Sequence, residues 1–358
     1  MKAQCVKHLL ELKSDPFWSD WRWQLRESAR NPEDLLSMLP ELIGPIFSGG
    51  PSDLKNMSDV ADAFRFAATP YYLSLIRPDD PQDPILRQIV PDIREIGDDQ
   101  FTDPDPLREE AHSPIPGLIH RYPDRVLLYT TERCAVYCRF CTRKRKLDPE
   151  YRAPFERERI LDYIRSHREV VEVILSGGDP LSLSDSAIEE LLGSIREIDH
   201  VLSIRIHTRI PVVLPMRINE KLVEIFSKLY PVTIVTHFNH ANEITADAAA
   251  SIERMKRSGI TVLNQTVLLR GVNDSVEAMR RLLLALLRIG IKPYYLHQCD
   301  EVKGVSHFSV PVERGEEILR ALRGAIPGIA MPLYVIDLPG GGGKIPVCEM
   351  RTNTPLDH

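Results

Sequence analysis

The sequence has no long apolar run. Its longest uninterrupted stretch lies around Leu282 to Leu287, far short of the ~20 residues a bilayer requires. The opening residues, MKAQCVKHLLELKSD, are too short in apolar length for an export signal, and Glu11 and Asp15 interrupt them. Positive charge is not in surplus: 45 basic against 51 acidic residues give a net of -6, which argues against a dedicated nucleic-acid binder. Cysteine is scarce. Cys134, Cys138 and Cys141 lie within eight residues, while Cys5, Cys299 and Cys348 are singletons. That spacing, without an export signal, reads as a metal or redox site and not a disulfide framework. The three singletons are expected to be inert packing or surface thiols. What is present, 43% apolar and 27% charged residues in 358, fits a globular cytoplasmic enzyme of one large domain or two ordinary ones.

The character of the chain changes near residue 115. Before it come a tryptophan cluster (Trp18, Trp21, Trp23), helix-like stretches and Pro-Asp pairs. Asn31 before Pro32 marks one helix start and Asn56-Met57-Ser58 another. Residues 1–115 are expected to form a helical N-terminal region wrapped onto a larger core, with proline-rich connectors. From Arg125 a rhythm sets in. Strand-like runs open at Val126, Val171, Val201, Pro231, Thr261 and Lys292, with helix-like segments between them. From Val171 the starts are 30, 30, 30 and 31 residues apart, the length of a strand plus its return helix. With a late strand from Pro332, this predicts an α/β fold: a partial (β/α)6-type, TIM-like barrel over 116–330, then a C-terminal strand and lysine segment over 331–358. A doubly wound open sheet is the competing architecture. In both, chemistry belongs at the C-terminal ends of the strands.

The unusual residues cluster at those ends. After the first strand comes Thr131-Glu132-Arg133-Cys134-Ala135-Val136-Tyr137-Cys138-Arg139-Phe140-Cys141. Three thiolates so spaced can hold three corners of a 4Fe-4S cubane and leave the fourth iron without a protein ligand. A three-cysteine zinc site, or thiols buried by chance, are the blander readings. The basic neighbours Arg139, Arg143, Lys144 and Arg145 are expected to lower the thiol pKa values. This CxxxCxxC loop resembles the signature of radical S-adenosylmethionine (SAM) enzymes, in which SAM chelates the open iron. Ser176-Gly177-Gly178-Asp179-Pro180-Leu181, one strand later, is similar to the glycine-rich turn that meets the SAM amino group in that superfamily. Its glycines would admit a ligand closely, and Asp179 can accept hydrogen bonds from an ammonium.

Near the end stands Tyr334-Val335-Ile336-Asp337-Leu338-Pro339 followed by four glycines, Lys344, Ile345 and Pro346. A lysine in such a seat suits a Schiff base with pyridoxal phosphate (PLP), although a flexible loop with an exposed lysine would look alike. The PGGGGK string closely resembles that of the lysine 2,3-aminomutase family. The resemblance runs through WRWQLR, TPYYLSLI, PGLIHRYPDRVLL, CRFCTRKR, PVVLP, THFNH, NQTVLLRGVND and PYYLHQCD. It implies that Cys134, Cys138 and Cys141 ligate the cluster and that Lys344 carries PLP. It also implies that Tyr122 and Arg125 lie near the PLP phosphate and that Arg143 clamps the substrate carboxylate. Asp300 and Asp337 would receive the far ammonium of lysine. His237, His240 and Gln265 are expected to line the pocket.

The implied reaction moves the amino group of L-lysine from C2 to C3, giving β-lysine, by way of a 5′-deoxyadenosyl radical. The resemblance also implies a low-potential reductant of flavodoxin or ferredoxin type, an amino acid substrate and a homo-oligomer, with no membrane or nucleic-acid partner. There are departures. His297 stands where prototype members carry a tyrosine and where relatives that supply β-lysine for modifying elongation factor P carry histidine. Ser275 replaces a zinc-binding cysteine, and the tail ends soon after Cys348, so no such zinc site is expected. Arginine or another amino acid as substrate, lysine destined for elongation factor P, a radical SAM enzyme without PLP, and a noncatalytic iron–sulfur or zinc protein remain the alternatives.

Overall fold

Nine strands form one sheet in the order in which they occur along the chain, in a computed structural model that describes residues 8–43, 51–97, 100–147, 155–339 and 342–350. They are β1 (Leu118–Tyr122), β2 (Arg125–Tyr129), β3 (Glu172–Ser176), β4 (Ser203–His207), β5 (Val232–Thr236), β6 (Thr261–Val267), β7 (Lys292–His297), β8 (Leu333–Leu338) and β9 (Gly343–Pro346). Neighbours from β2 to β8 pair in parallel. Only the outer pairs, β1 with β2 and β8 with β9, are antiparallel. A doubly wound sheet would reverse its order at a switch point. This one never does, so it curls into a nearly closed barrel. The gap between β1 and β8 is bridged by side chains: the Arg121 guanidinium binds the Asp337 carboxylate and the Leu338 carbonyl.

Six helices return the chain between the parallel strands: Arg157–Ser166, Asp185–Arg196, Glu220–Lys228, Ala246–Arg257, Val276–Arg288 and Val312–Leu322. The four central ones start in one way. Ser184, Asn219, Thr245 and Ser275 each accept the N–H three residues on, at 3.2, 2.9, 3.1 and 3.1 Å, satisfying a donor the helix cannot. Ser275 thus serves as a helix cap. Ile188, Leu191, Leu192 and Ile195 are buried at helical spacing and face the sheet. Alternation then divides each strand. Ile204, Ile206 and Ile234 are fully buried towards the helices, whereas Glu172, Ser176, Arg205 and His207 point into the barrel. The lumen is therefore polar and open rather than packed.

The first 115 residues contribute short helices, among them Trp21–Arg26, Pro32–Met38, Pro70–Leu73 and Pro84–Ile89. Asn31 caps one of them, with Pro32 at its first position. The expected start at Asn56-Met57-Ser58 is corrected: these residues lie inside the helix Pro51–Ala63, which opens on its proline. These helices share one apolar cluster with the barrel. Buried Tyr72 and Thr69 bind Glu243 and the Val213 carbonyl across that contact, at 2.6 and 2.8 Å. The segment after residue 330 supplies β8 and β9 to the same sheet. No helix among the described residues is long and apolar enough to cross a membrane.

Candidate active site

A cavity of about 690 Å³ occupies the C-terminal mouth and lumen of the barrel, within the size range of cofactor and ligand sites. Cys134, Cys138 and Cys141 line it from the loop after β2. The loop is pinned at its start, where Thr130 donates through its backbone N–H and Oγ1 to the Ser176 carbonyl at 3.1 and 3.0 Å. The basic residues act less than expected: Arg143 and Lys144 do lower Cys141, but burial outweighs them. Carboxylates from the N-terminal region neutralise them: Arg139 and Lys144 bind Glu95 at 2.6 and 2.7 Å, Arg143 binds Glu109 at 2.6 Å, and Arg145 binds Asp105 at 2.7 Å. Desolvation wins at Cys134 and Cys141. It raises Cys134 well above the ordinary value and Cys141 to about 11, and the thiols oppose one another's ionisation. Among the described residues these thiols are not drawn tightly together as around a bound ion. Three soft donors on one loop nevertheless suit iron, whose charge would reverse that repulsion.

The glycine turn after β3 lines the same cavity and also packs closely on its neighbour. A Cβ on Gly177 would lie 2.8 Å from the Thr131 carbonyl, and one on Gly178 would lie 2.4 Å from that of Arg133. These glycines admit the cysteine loop itself, to which Gly178 N–H and Asp179 N–H donate at 2.6 and 2.7 Å. Asp179 stands on the same wall. Its buried carboxylate accepts from Leu181 N–H, Thr208 Oγ1 and Arg209 N–H at 3.0, 2.7 and 2.7 Å. Burial raises it to about 6. It ties loops together and has little capacity left for an ammonium.

Lys344, on β9, is the one lysine among the described residues on the cavity wall. Its Nζ lies 2.8 Å from Asp337 Oδ2, and Asp337 also accepts from Arg121 and, at 3.2 Å, from Tyr122 Oη. Gly343 reaches this position with φ +89°, a backbone that favours glycine. Gly340 and Gly341 lie outside the described residues. Arg125 stacks on the Tyr122 ring at 4.1 Å, and burial raises the Tyr122 hydroxyl to about 12, so it stays a donor. An amine beside two guanidinium groups and a phenol fits an aldehyde phosphate such as PLP.

The two aspartates are unequal. Asp337 is already compensated by Lys344 and Arg121, which hold it below the ordinary carboxylate range against the cost of burial. The carboxylate of partly buried Asp300 has one hydrogen-bond partner among the described residues, Thr142 Oγ1 at 2.6 Å. Desolvation, with help from the Asp337 charge, raises it to about 6. Both line the cavity, and Asp300 has the spare acceptor capacity. Arg143 presents one edge to Glu109 (Nε and Nη2 at 3.0 and 2.6 Å) and directs Nη1 towards Ser176 Oγ at 3.4 Å. Its substitution by lysine is expected to raise the KM for the amino acid roughly tenfold or more, since a charge-assisted bond is worth about 1.5–3 kcal/mol. Iron content should stay at the parent level. Loss of iron instead would show that Arg143 serves the cysteine loop.

His237, Gln265 and His297 line the cavity, and Gln265 Nε2 lies 3.2 Å from His237 Nε2. Desolvation lowers His237 and His297 to about 3, so both are neutral. His240 does not line the cavity. It caps the turn Ala241–Glu243, accepting Asn242 N–H at 3.2 Å. Glu95, Glu109, Arg121 and Arg209 escaped the sequence reading. The signal for the two glutamates was the string CTRKRK itself, whose charges need carboxylate partners once buried.

Residues 128–283 match the Radical SAM superfamily. The chain is 44% identical over 336 residues to an L-lysine 2,3-aminomutase of Clostridium subterminale, covering 93% of this chain and 79% of that one. It is 45% identical over 347 residues to a putative L-lysine 2,3-aminomutase of Aquifex aeolicus, covering 96% and 91%. To a glutamate 2,3-aminomutase of Clostridioides difficile it is 38% identical, covering 92% and 76%. Its barrel, its cysteine loop and these relatives agree: the chain belongs to the lysine 2,3-aminomutase family of radical SAM enzymes.

Proposed function

We propose that the chain converts L-lysine to β-lysine by moving the amino group from C2 to C3. The observation that carries this is Asp300, a carboxylate on the cavity wall without a cationic partner among the described residues. A distal ammonium supplies that cation. A glutamate side chain would instead add negative charge, and one like-charge pair about 4 Å apart costs roughly 4 kcal/mol at an effective dielectric near 20. When bound, the cluster with SAM supplies homolytic hydrogen transfer, and PLP supplies a π system for the migrating amine. The chain's own residues do the rest. Arg143 orients the α-carboxylate, Arg125 and Tyr122 donate to phosphate oxygens, and Asp337 holds the Lys344 amine. The barrel walls limit the access of water and oxygen. A low-potential reductant of flavodoxin or ferredoxin type, a cytoplasmic setting and a homo-oligomer complete the proposal.

The test is turnover of L-lysine, L-arginine and L-glutamate by the reconstituted enzyme. Lysine should react, and glutamate should not. Asp300→Asn should lower kcat/KM for lysine by about a hundredfold or more, in line with ~3 kcal/mol for a lost desolvated ion pair. Because Asp300 is raised to about 6, it loses its charge as pH falls through that value. The parent's kcat/KM should therefore decline below about pH 6, with a limb that Asp300→Asn lacks. Arginine turned over in preference to lysine, or comparable turnover of glutamate, would overturn the assignment.

A further inference from the structure

Arg209 lies two residues beyond β4, and its guanidinium is fixed from several directions. Its Nη1 lies 2.8 Å from Cys138 Sγ, while its Nη2 donates to Tyr72 Oη at 2.8 Å and to Glu243 Oε1 at 2.7 Å. Its backbone N–H is held by Asp179 at 2.7 Å. Glu243 is anchored in turn, its other oxygen accepting the N–H groups of Asn239 and His240 at 2.6 and 2.9 Å. Arg209 is 7% exposed and Glu243 0%, so the pair is desolvated and its field is little screened. The rings of Tyr72 and Phe140 flank the guanidinium at 5.2 and 5.3 Å. Four separate parts of the chain thus converge to aim one cationic N–H at one of the three cysteines. An ion pair with Glu243 alone would not need that aim.

We infer that Arg209 is a positioning residue that sets the reduction potential of the cluster held by Cys134, Cys138 and Cys141, by donating a charge-assisted N–H···S hydrogen bond to the Cys138 thiolate. Reduction adds one electron, delivered by a low-potential donor, and makes or breaks no bond. The added negative charge spreads onto the sulfur ligands. A cationic donor at one of them stabilises the reduced state more than the oxidised one, which raises the potential. Glu243 limits the effect by balancing the guanidinium charge. Reductive cleavage of SAM depends on how much of the cluster is reduced, so the device acts on the step that starts every turnover.

The inference rests on the cluster assignment. Failure of that assignment would appear separately, as a parent protein that binds no iron after anaerobic reconstitution. With iron present, the experiment is a redox titration of parent, Arg209→Gln and Glu243→Gln enzymes with dithionite, followed by the paramagnetic signal of the reduced cluster. At a fixed applied potential, Arg209→Gln should lower the ratio of reduced to oxidised cluster roughly tenfold, a shift of about 59 mV for one electron. Glu243→Gln should move the ratio the opposite way, because it leaves the guanidinium uncompensated. An Arg209→Gln enzyme with parent iron content and a parent-like ratio overturns the inference. Should Arg209→Gln lose its iron, the Glu243→Gln arm decides, and no rise there overturns it. Loss of iron from both variants shows that the network serves only to shape the loop, and also overturns it.

Discussion

Replacing Lys344 by alanine should abolish amino-group migration, by a factor of about a thousand or more, while leaving iron content at the parent level. A thousandfold corresponds to about 4 kcal/mol of transition-state stabilisation, a modest demand for a group that seats a cofactor covalently. Lys344 is the one lysine among the described residues on the cavity wall, so no neighbouring amine can take over. The fold should survive. Asp337 keeps its contacts with Arg121 and Tyr122, and the bridge between β1 and β8 does not need the lysine. The absorbance of covalently bound PLP should vanish in the variant. Borohydride treatment of the parent should place a pyridoxyl group on Lys344, and an adduct mapped to any other lysine would contradict the assignment.

Loss of one cluster thiol should be as severe. In Cys138→Ala, two thiols remain for a cluster that needs three, and the Arg209 Nη1 loses the sulfur that it faces at 2.8 Å. A buried cationic donor without its acceptor is itself destabilising by about 1–3 kcal/mol. Formation of 5′-deoxyadenosine from SAM should fall below detection, and iron should fall with it. Cys299 supplies the control. It is 4% exposed and packs in an apolar cluster with Phe140 and Phe308, so Cys299→Ala should keep its iron and its SAM cleavage. Production of 5′-deoxyadenosine at the parent rate by Cys138→Ala would remove that cysteine from the cluster.

The parallel strands and their return helices were legible because apolar strand-like runs recur about every 30 residues with helix-like segments between them. The flanking strands β1 and β9 were not. LIHRY and GKIP are short and carry the polar groups that line the lumen, so they lack the apolar signature of a buried strand. In the site, the residue types were readable and their partners were not. Which carboxylate satisfies which cation depends on contacts such as Arg121 with Asp337, 216 residues apart, and no local pattern encodes these. The glycines of the turn after β3 show the same limit. Their smallness could be read, but not that the cysteine loop would also pack against them.

The three thiols and Lys344 face one cavity and are therefore expected to act on one substrate. The direct measurement is incubation of the anaerobically reconstituted enzyme with dithionite, SAM, PLP and L-lysine, followed by mass-spectrometric analysis of the amino acids. β-Lysine should accumulate in the complete mixture and should be missing when SAM or PLP is withheld. Formation of 5′-deoxyadenosine with the lysine left unchanged would contradict the account.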